Sequence, residues 1–465
     1  MSADSDRKIF VNPPPSQHAP PFAAGDPPPS VKFSEPSSGG NFIKRLRINI
    51  FGYILRRSRP IERSVLDTDE LLPVTATVDL SALRHNVRVL QDRADGANLM
   101  AIVKADAYGH GAIPVARTLR EEGVRHFAVA RPAEGVRLRE AGFSERILVL
   151  GAPIREQLSV YTAHDLDVTI SSPEVATAAC THGTASQPIR AHVKIDTGMG
   201  RIGLAPEEAT DVISRLSEAS GVTLAGIWTH FATADQPESP FAQTQLDRFE
   251  AVLSDVDLPQ PFTGHVHTAN TGALLTIGAR AQTFSAPLVR TGIALYGLAA
   301  SPELHARIDL RPAMTLSARV THLKTVSPGT PISYGARWRA PRRTRIATLG
   351  VGYGDGYPRL CSGRASVRIA GKERPIVGTI CMDMCMVDLG PPDQSPAAHV
   401  EVGDEATMFG PSGPTLYDVA DWAETIPYEI CCGLSPRVPR EYVGTSSQEY
   451  SANPPAHAPT SHDSS

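Results

Sequence analysis

Between about residues 74 and 310, short apolar runs alternate with longer segments of helical period. Eight runs rich in Val and Ile predict strands near residues 99–105, 126–130, 147–151, 167–171, 192–196, 226–231, 265–270 and 288–297. Nearly continuous apolar strands separated by helices are typical of a parallel sheet covered on both faces. Eight such units in about 230 residues match the size of a (β/α)8 barrel. The regular alternation favours this barrel over the alternative, an open doubly wound sheet.

The pattern changes after about Leu310. The run MTLSARVTHLKTV, residues 314–326, alternates apolar and polar side chains and predicts a half-buried antiparallel strand. Further strand-like runs follow, punctuated by Pro and Gly. We therefore expect an α/β plus β protein, with a (β/α)8 barrel over residues 71–310 and a mainly β domain over 311–443.

The two ends of the chain have a different composition. Residues 1–70 begin with a Pro-rich stretch, and this leader and the tail 444–465 hold too few large apolar residues to fold alone, so we expect both to be disordered. Within the leader, 41–60 mixes basic and apolar residues. It could lie on a membrane surface or bind a partner, but a solvated leader is the favoured interpretation.

Charge and cysteine content narrow the classes of function. The 465 residues carry a formal net charge of −4, which gives the chain no general attraction for nucleic acid. The six cysteines are scattered and show no zinc-site spacing, so we expect no metal site and a reducing, cytoplasmic setting. No apolar stretch reaches the roughly 20 residues that span a bilayer.

Polar side chains lie where the predicted barrel strands end, which is where barrel enzymes place their active sites. Lys104 ends the first strand, and a lysine there is hard to explain by packing because burying an unpaired ammonium is expensive. The others are Arg201, His230, Asn270, Thr271 and Arg290, together with Gly292-Ile293, whose N–H groups could bind a phosphate. Taken singly, each could be an ion-pair partner, a core histidine or a turn residue.

Several motifs resemble a known family. VKADAYGHG, KIDTGMGRIG, THFATAD, VRTGIALYG, SYGARW, GVGYGDGYPR, CMDMCMVD and IPYEICCGLSPRVPR resemble the successive signature segments of bacterial alanine racemases, in order from about Val74 to Val443. Two substitutions depart from the family pattern. Thr271 replaces a usual serine and keeps the hydroxyl, and Thr291 replaces a common proline.

The resemblance implies a pyridoxal 5′-phosphate (PLP) enzyme. Lys104 would hold the cofactor as a Schiff base, and Arg290 would face its pyridine nitrogen. The remaining cofactor contacts would be Tyr108, Arg201, His230, Asn270, Thr271, Gly292, Ile293 and Tyr428, with the phosphate bound by Tyr108, Thr271, Tyr428 and the Gly292-Ile293 backbone.

Racemisation needs acid–base groups on both faces of the substrate carbanion. The resemblance assigns these roles to Lys104 and to Tyr334 of a partner chain, tuned by His230. Arg201 and Met382 would bind substrate. Supporting positions would be Lys194, which can be carbamylated in this family, Tyr353, Arg359 and Asp383.

The implied function is the interconversion of L- and D-alanine by a cytoplasmic homodimer, supplying D-alanine for peptidoglycan. Three alternatives stay open at this point. One is a serine or broad-specificity racemase, because discrimination between side chains that differ by one hydroxyl can depend on few pocket residues. Another is a basic-amino-acid decarboxylase with the same cofactor and barrel. The third is a non-catalytic PLP-carrying barrel.

Overall fold

The computed structural model describes residues 72–258, 261–278, 287–394 and 397–444. The predictions for the leader 1–70, for its segment 41–60 and for the tail after residue 444 lie outside the described residues. In the part of the chain that is described, no helix is long and apolar enough to cross a membrane.

Eight parallel strands form the predicted barrel, in agreement with the pattern of apolar runs. They are β2 (Asn98–Ile102), β3 (His126–Val129), β4 (Arg146–Val149), β5 (Asp167–Ile170), β6 (Ile189–Lys194), β7 (Val222–Trp228), β8 (His265–His267) and β9 (Leu288–Thr291). Consecutive strands pair from β2 to β8, and β9 pairs with β2. Parallel bridges Val266–Pro287 and Asn270–Arg290 join the two remaining edges and close the barrel.

Helices precede, connect or follow these strands. They are α1 (Leu80–Arg93), α2 (Ala112–Glu121), α3 (Pro132–Glu140), α4 (Leu158–Ala163), α5 (Pro173–His182), α6 (Pro206–Glu218), α7 (Phe241–Asp255), α8 (Thr271–Thr276) and α9 (Pro302–His305). Asp79 accepts hydrogen bonds from the N–H groups of Ser81 and Ala82 and so caps α1. Several helices begin with proline, whose missing N–H costs nothing in the first turn.

The last predicted barrel strand ends earlier in the structure than its apolar run suggested. The run 288–297 forms a strand only to Thr291, and Ile293–Tyr296 is a 3-10 turn that begins after Gly292. Similarly, the run 265–270 forms a strand only to His267, and α8 starts at Thr271. Both changes bring backbone N–H groups to the carboxyl end of the barrel.

The second domain is a mainly antiparallel sheet, as predicted. Its strands are β1 (Val74–Asp79), β10 (Met314–Val326), β13 (Thr344–Leu349), β14 (Ser366–Ile369), β15 (Lys372–Val377), β16 (Cys385–Gly390), β17 (Glu405–Phe409) and β18 (Arg440–Val443), beside a small hairpin of β11 (Pro331–Ile332) and β12 (Trp338–Arg339). The 13-residue β10 pairs with β1, β17 and β13. Six strands lie side by side in the order β13, β16, β15, β14, β17 and β10, and the pairing of β10 with β13 closes them into a ring.

Strand β1 precedes the barrel in the chain but lies in the second sheet. Its residues pair antiparallel with Met314–Ala318 of β10 and parallel with β18. The predicted limits at residues 71, 310 and 443 stay predictions. The structure adds that the described part of the chain starts in the β domain at β1, forms the barrel and returns to the β domain.

Two contacts bring the β domain against the barrel mouth. The buried Asn86 of α1 donates to the carbonyls of Leu295 and Arg311 and accepts from the Arg311 N–H at 2.7 Å. Helix α11 (Pro427–Gly433), which follows α10 (Leu416–Trp422), packs on the turn after β2. A Cβ added at Gly109, which has φ +80°, would lie 2.2 Å from the Cys431 carbonyl oxygen, so only glycine fits there.

Candidate active site

A cavity of about 550 Å³ opens at the carboxyl ends of the barrel strands. Ten of the predicted site residues line it: Lys104, Tyr108, Arg201, His230, Asn270, Thr271, Arg290, Gly292, Ile293 and Tyr428. They are spread over more than 300 residues of sequence. The barrel brings nine of them together because parallel strands end at the same rim, and helix α11 of the β domain adds Tyr428.

Lys104 begins an unusual turn directly after β2. The next four residues, Ala105–Tyr108, have φ between 52° and 55°, a left-handed conformation that costs roughly 1–2 kcal/mol per residue. Side chains hold this turn in place: Glu134 accepts from the Ala105 N–H at 2.6 Å, and Asp106 accepts from the Ala112 N–H at 2.9 Å. Backbone strain that is held this firmly is typical of a functional position.

The half-buried Lys104 amine lies within the influence of one cation, Arg201. Burial and the charge of Arg201 lower its pKa below the ordinary lysine value. Its Nζ lies 5.9 Å from the centre of the Tyr108 ring. A lysine with a lowered pKa has a larger fraction of neutral amine, which is the form that attacks a carbonyl and accepts a proton.

Arg290 is a buried cation in β9, and its guanidinium donates hydrogen bonds to uncharged acceptors. Nη1 donates to Nδ1 and the carbonyl of His267 at 3.0 and 2.8 Å, and Nη2 donates to the carbonyls of Thr229 and Thr268 at 2.7 and 2.9 Å. Burial and Arg201 lower its pKa to about 9, so it remains charged at neutral pH. Among the described residues Nε–H has no hydrogen-bond partner, which leaves this donor to the cavity.

His230 lies beside Arg290 in a single protonation state. Arg290 Nη2 lies 3.3 Å from His230 Nδ1, and because a guanidinium only donates, a hydrogen on Nδ1 would point at another donor. Burial and Arg290 lower the His230 pKa well below its usual range. The neutral ring therefore carries its proton on Nε2.

One end of the cavity collects hydroxyls and backbone N–H groups. The rings of Tyr108 and Tyr428 lie 6.0 Å apart, and the Gly292 N–H approaches the Thr271 hydroxyl at 3.4 Å. A Cβ at Gly292 would stand 2.9 Å from the Tyr108 hydroxyl oxygen and fill this space. Asn270 also caps α8, since its side-chain oxygen accepts from the Ala273 N–H. The group forms an open cradle for a small anion.

Lys194 lies beneath the cavity, in the barrel interior. Its side chain is fully buried, its Nζ donates to the Ile202 carbonyl, and it lies 5.2 Å from the centre of a Trp228 ring. Burial and the nearby cations Arg201 and Arg290 lower its pKa to about 8. A buried lysine so near neutrality fits the predicted supporting role.

Five other predicted residues lie in the β domain and do not line this cavity: Tyr334, Tyr353, Arg359, Met382 and Asp383. Tyr334 is 73% exposed although its backbone is held, since its carbonyl accepts from the Thr379 hydroxyl at 2.9 Å. Tyr353 and Met382 are exposed as well. Arg437 links the loops that carry them by bonding Asp355 and Asp383 at 2.7 and 2.8 Å.

Among the described residues, thirteen more line the cavity although the sequence patterns did not single them out, and four of these have large or charged side chains close to predicted residues: Met199, Trp228, Phe231 and Asp235. All four fall inside or beside the motifs DTGMGR and WTHFATAD. Their position next to Arg201 and His230 was an available signal, but an apolar side chain in such a motif looks like packing until the cavity wall is seen.

The chain matches two family descriptions over most of its folded part. Residues 78–300 match "Alanine racemase, N-terminal domain" and residues 313–442 match "Alanine racemase, C-terminal domain". The alanine racemase of Halothermothrix orenii is 41% identical over 375 residues, which cover 80% of this chain and 97% of that protein.

Solved structures agree with this match. The alanine racemase of the D-cycloserine-producing Streptomyces lavendulae superimposes with a TM-score of 0.72 at 40% identity, covering 80% of this chain and 98% of that one. That of Streptomyces coelicolor A3(2) gives the same TM-score and identity, covering 82% and 100%. With both domains matched in order, the chain belongs to the alanine racemase family, a family of isomerases.

Proposed function

We propose that this protein interconverts L- and D-alanine with pyridoxal 5′-phosphate, and that two chains complete each site. The observation that carries the proposal is the pairing of Lys104 and Arg290 in one cavity. One is a lysine with a lowered pKa and the other a buried guanidinium with a free donor, and they stand beside a cradle of hydroxyls and N–H groups.

The residues present fit PLP. The cofactor supplies an aldehyde that condenses with amines and a ring that stabilises negative charge at Cα. Lys104 would hold the aldehyde, and Tyr108, Thr271, Tyr428 and the Gly292-Ile293 N–H groups would bind the phosphate. The cavity volume of about 550 Å³ is within the range of sites for a cofactor and a small substrate.

Arg290 would favour racemisation over transamination. Its Nε–H would donate to the ring nitrogen of the cofactor, and a guanidinium keeps its proton even with a pKa lowered to about 9. Arg290 would therefore transfer no proton to the cofactor, which would then draw less charge from the substrate. Reprotonation at Cα is therefore favoured over reprotonation elsewhere.

Arg201 and Lys104 would act on the substrate itself. Arg201 supplies a positive charge at the cavity wall for the substrate carboxylate. Lys104 Nζ would remove or return the proton at Cα from one face, which its lowered pKa favours near neutral pH.

The opposite face would be served by Tyr334 of the partner subunit. Tyr334 is exposed on a held turn and lies outside its own chain's cavity, as expected of a side chain that a second chain receives. Tyr353, Met382 and Met384 are also exposed in the β domain and add apolar surface for an interface. His230 Nε2–H would donate to the Tyr334 hydroxyl of the partner subunit and tune its basicity.

The cellular role in this proposal is supply of D-alanine for peptidoglycan in the cytoplasm. Six unpaired cysteines are compatible with a reducing compartment. No observation favours a serine or broad-specificity racemase.

Borohydride reduction tests the cofactor assignment. Reduction of the PLP-loaded protein should attach the cofactor to Lys104, which peptide mapping would identify. Lys104→Ala should lose the attachment, whereas the exposed Lys324→Ala should retain it. Attachment at a different lysine contradicts the assignment.

Mixing two inactive variants tests the shared site. Lys104→Ala and Tyr334→Phe should each be nearly inactive in chiral analysis of alanine. Chains unfolded and refolded together at equal amounts should recover about a quarter of the parent activity, because half of the dimers are mixed and each has one intact site. If the mixture stays inactive, Tyr334 does not act across chains.

A further inference from the structure

A column of hydrogen-bonded polar side chains crosses the interior of the barrel beneath the cavity. Arg290 Nη1 lies 3.0 Å from His267 Nδ1, His267 Nε2 lies 3.0 Å from His192 Nδ1, and His192 Nε2 lies 3.3 Å from Asp167 Oδ2. Each of the four residues is at most 3% exposed. Asp167 is the first residue of β5, so the column reaches from the cavity to the amino end of the barrel.

The two ends of the column determine the direction of every hydrogen bond. Arg290 can only donate, so His267 Nδ1 accepts and His267 carries its proton on Nε2. That proton is donated to His192 Nδ1, which leaves the His192 proton on Nε2 for the Asp167 carboxylate. Both imidazoles are therefore neutral, and both are the Nε2–H tautomer.

An additional proton cannot enter this column without breaking it. If His192 were protonated on both nitrogens, its Nδ1–H would face His267 Nε2. His267 would then have to carry its proton on Nδ1, directly opposite the N–H of Arg290. Two donors would face each other in a buried site, which costs the full desolvation of the unpaired group.

Neighbouring charges hold the lower end of the column as an anion. Arg146 and Arg190 both bond Asp167, with Arg190 Nε at 3.2 Å. Burial alone would raise the Asp167 pKa, but the hydrogen bonds from His192 and Arg146, together with the positive charge of Arg146, lower it to about 2. The rings of His126 and His265 lie near the same end, 4.7 Å from each other.

Stacking on Trp228 fixes the orientation of the His267 ring and of the Arg290 guanidinium. The Trp228 ring lies 5.6 Å from that of His267 with an interplanar angle of 5°, and the Arg290 guanidinium carbon is 5.0 Å from a Trp228 ring centre. The guanidinium can therefore rotate little without disturbing both neighbours.

We propose that Asp167, His192 and His267 are positioning residues that hold Arg290 as an oriented cation with Nε–H aimed into the cavity. Asp167 supplies the counter-charge through two imidazoles, and among the described residues no carboxylate forms an ion pair with Arg290. The inference rests on the proposed function, in which Arg290 Nε–H meets the cofactor ring.

Nitrogen NMR of histidine side chains tests the column without measuring activity. In the PLP-loaded full chain labelled with ¹⁵N-histidine, His192 and His267 should both show the neutral Nε2–H pattern. Their signals are assigned by their loss in His192→Asn and His267→Asn. In Asp167→Asn both signals should move together. An amide can donate a hydrogen bond to His192, so the His192 proton is no longer required on Nε2 and the change passes to His267.

Asp165→Asn is the matched control, since Asp165 also bonds Arg146, at 3.1 Å, but lies outside the column. It should leave both signals unchanged. A doubly protonated or Nδ1–H ring in the parent, or equal spectra for Asp167→Asn and Asp165→Asn, would overturn the proposal. These readouts do not depend on the reaction, so they separate failure of the column from failure of the proposed racemase activity.

The kinetic test uses His267→Asn. The asparagine oxygen can still accept from Arg290, but the link to His192 is cut. We expect kcat for alanine racemisation to fall about tenfold or more with KM changed less than about twofold, and the share of turnovers ending in transamination to rise. If kcat and the share of transamination in this variant equal those of the parent, the column beyond Arg290 has no positioning role. This test does not require Asp167→Asn to fold.

Discussion

Replacing the buried Lys194 by methionine should make the folded protein more stable near neutral pH. Lys194 is fully buried, and its charge is opposed by burial, Arg201 and Arg290, which together lower its pKa from 10.5 to about 8. Methionine has a similar length and no charge, so it can occupy the same space without that electrostatic cost.

The magnitude follows from the pKa difference. A fall from 10.5 to about 8 corresponds to about 3 kcal/mol of unfavourable free energy for the charged lysine in the folded state. The variant also loses the hydrogen bond to the Ile202 carbonyl, which reduces its gain in stability by about 1–2 kcal/mol. We therefore expect Lys194→Met to raise the free energy of unfolding by about 1–2 kcal/mol at pH 7.

Because the pKa of Lys194 is lowered on folding, the difference in stability between the parent and the variant should depend on pH. Between about pH 8 and 10.5 the unfolded chain holds the lysine proton that the folded protein has released, so the parent gains stability as pH rises. The advantage of Lys194→Met should be greatest below pH 8 and should shrink above it.

Urea unfolding from pH 7 to 9.5 in CO₂-free buffer measures this difference on the unmodified amine. The exposed Lys324→Met serves as a control and should show no pH-dependent gain. A Lys194→Met variant that is less stable than the parent at pH 7, or whose advantage is constant with pH, would refute the electrostatic reasoning.

Two further predictions concern the cofactor cradle and the domain contact. Gly292→Ala places a Cβ 2.9 Å from the Tyr108 hydroxyl, so the Kd for PLP should rise about tenfold in equilibrium titration, whereas Gly433→Ala, with no atom within 4 Å, should bind normally. Asn86→Ala leaves two carbonyls and one N–H without partners and should lower the free energy of unfolding by about 2–4 kcal/mol in urea titration, against little change for the exposed Asn98→Ala.

The sequence predicted ten of the residues that line the cavity, but not all of their neighbours. Lys104, Arg201, His230 and Arg290 stand out because charged or ionisable groups at strand ends conflict with packing, and the motifs around them resemble one family in order. Trp228, by contrast, looks like an ordinary core residue in GIWTHF. Its contacts with His267, Lys194 and Arg290 become visible only in the folded barrel.

The pattern of apolar runs by itself determined the eight strands, the helices between them and the change to a β domain after about Leu310. Such periodicity is a local property, since it records which face of each element is buried. The pairing of β1 with β10, the column from Arg290 to Asp167 and the exposed position of Tyr334 were decided only by the tertiary structure. They depend on register and distance between segments remote in the chain, and no local pattern encodes these quantities.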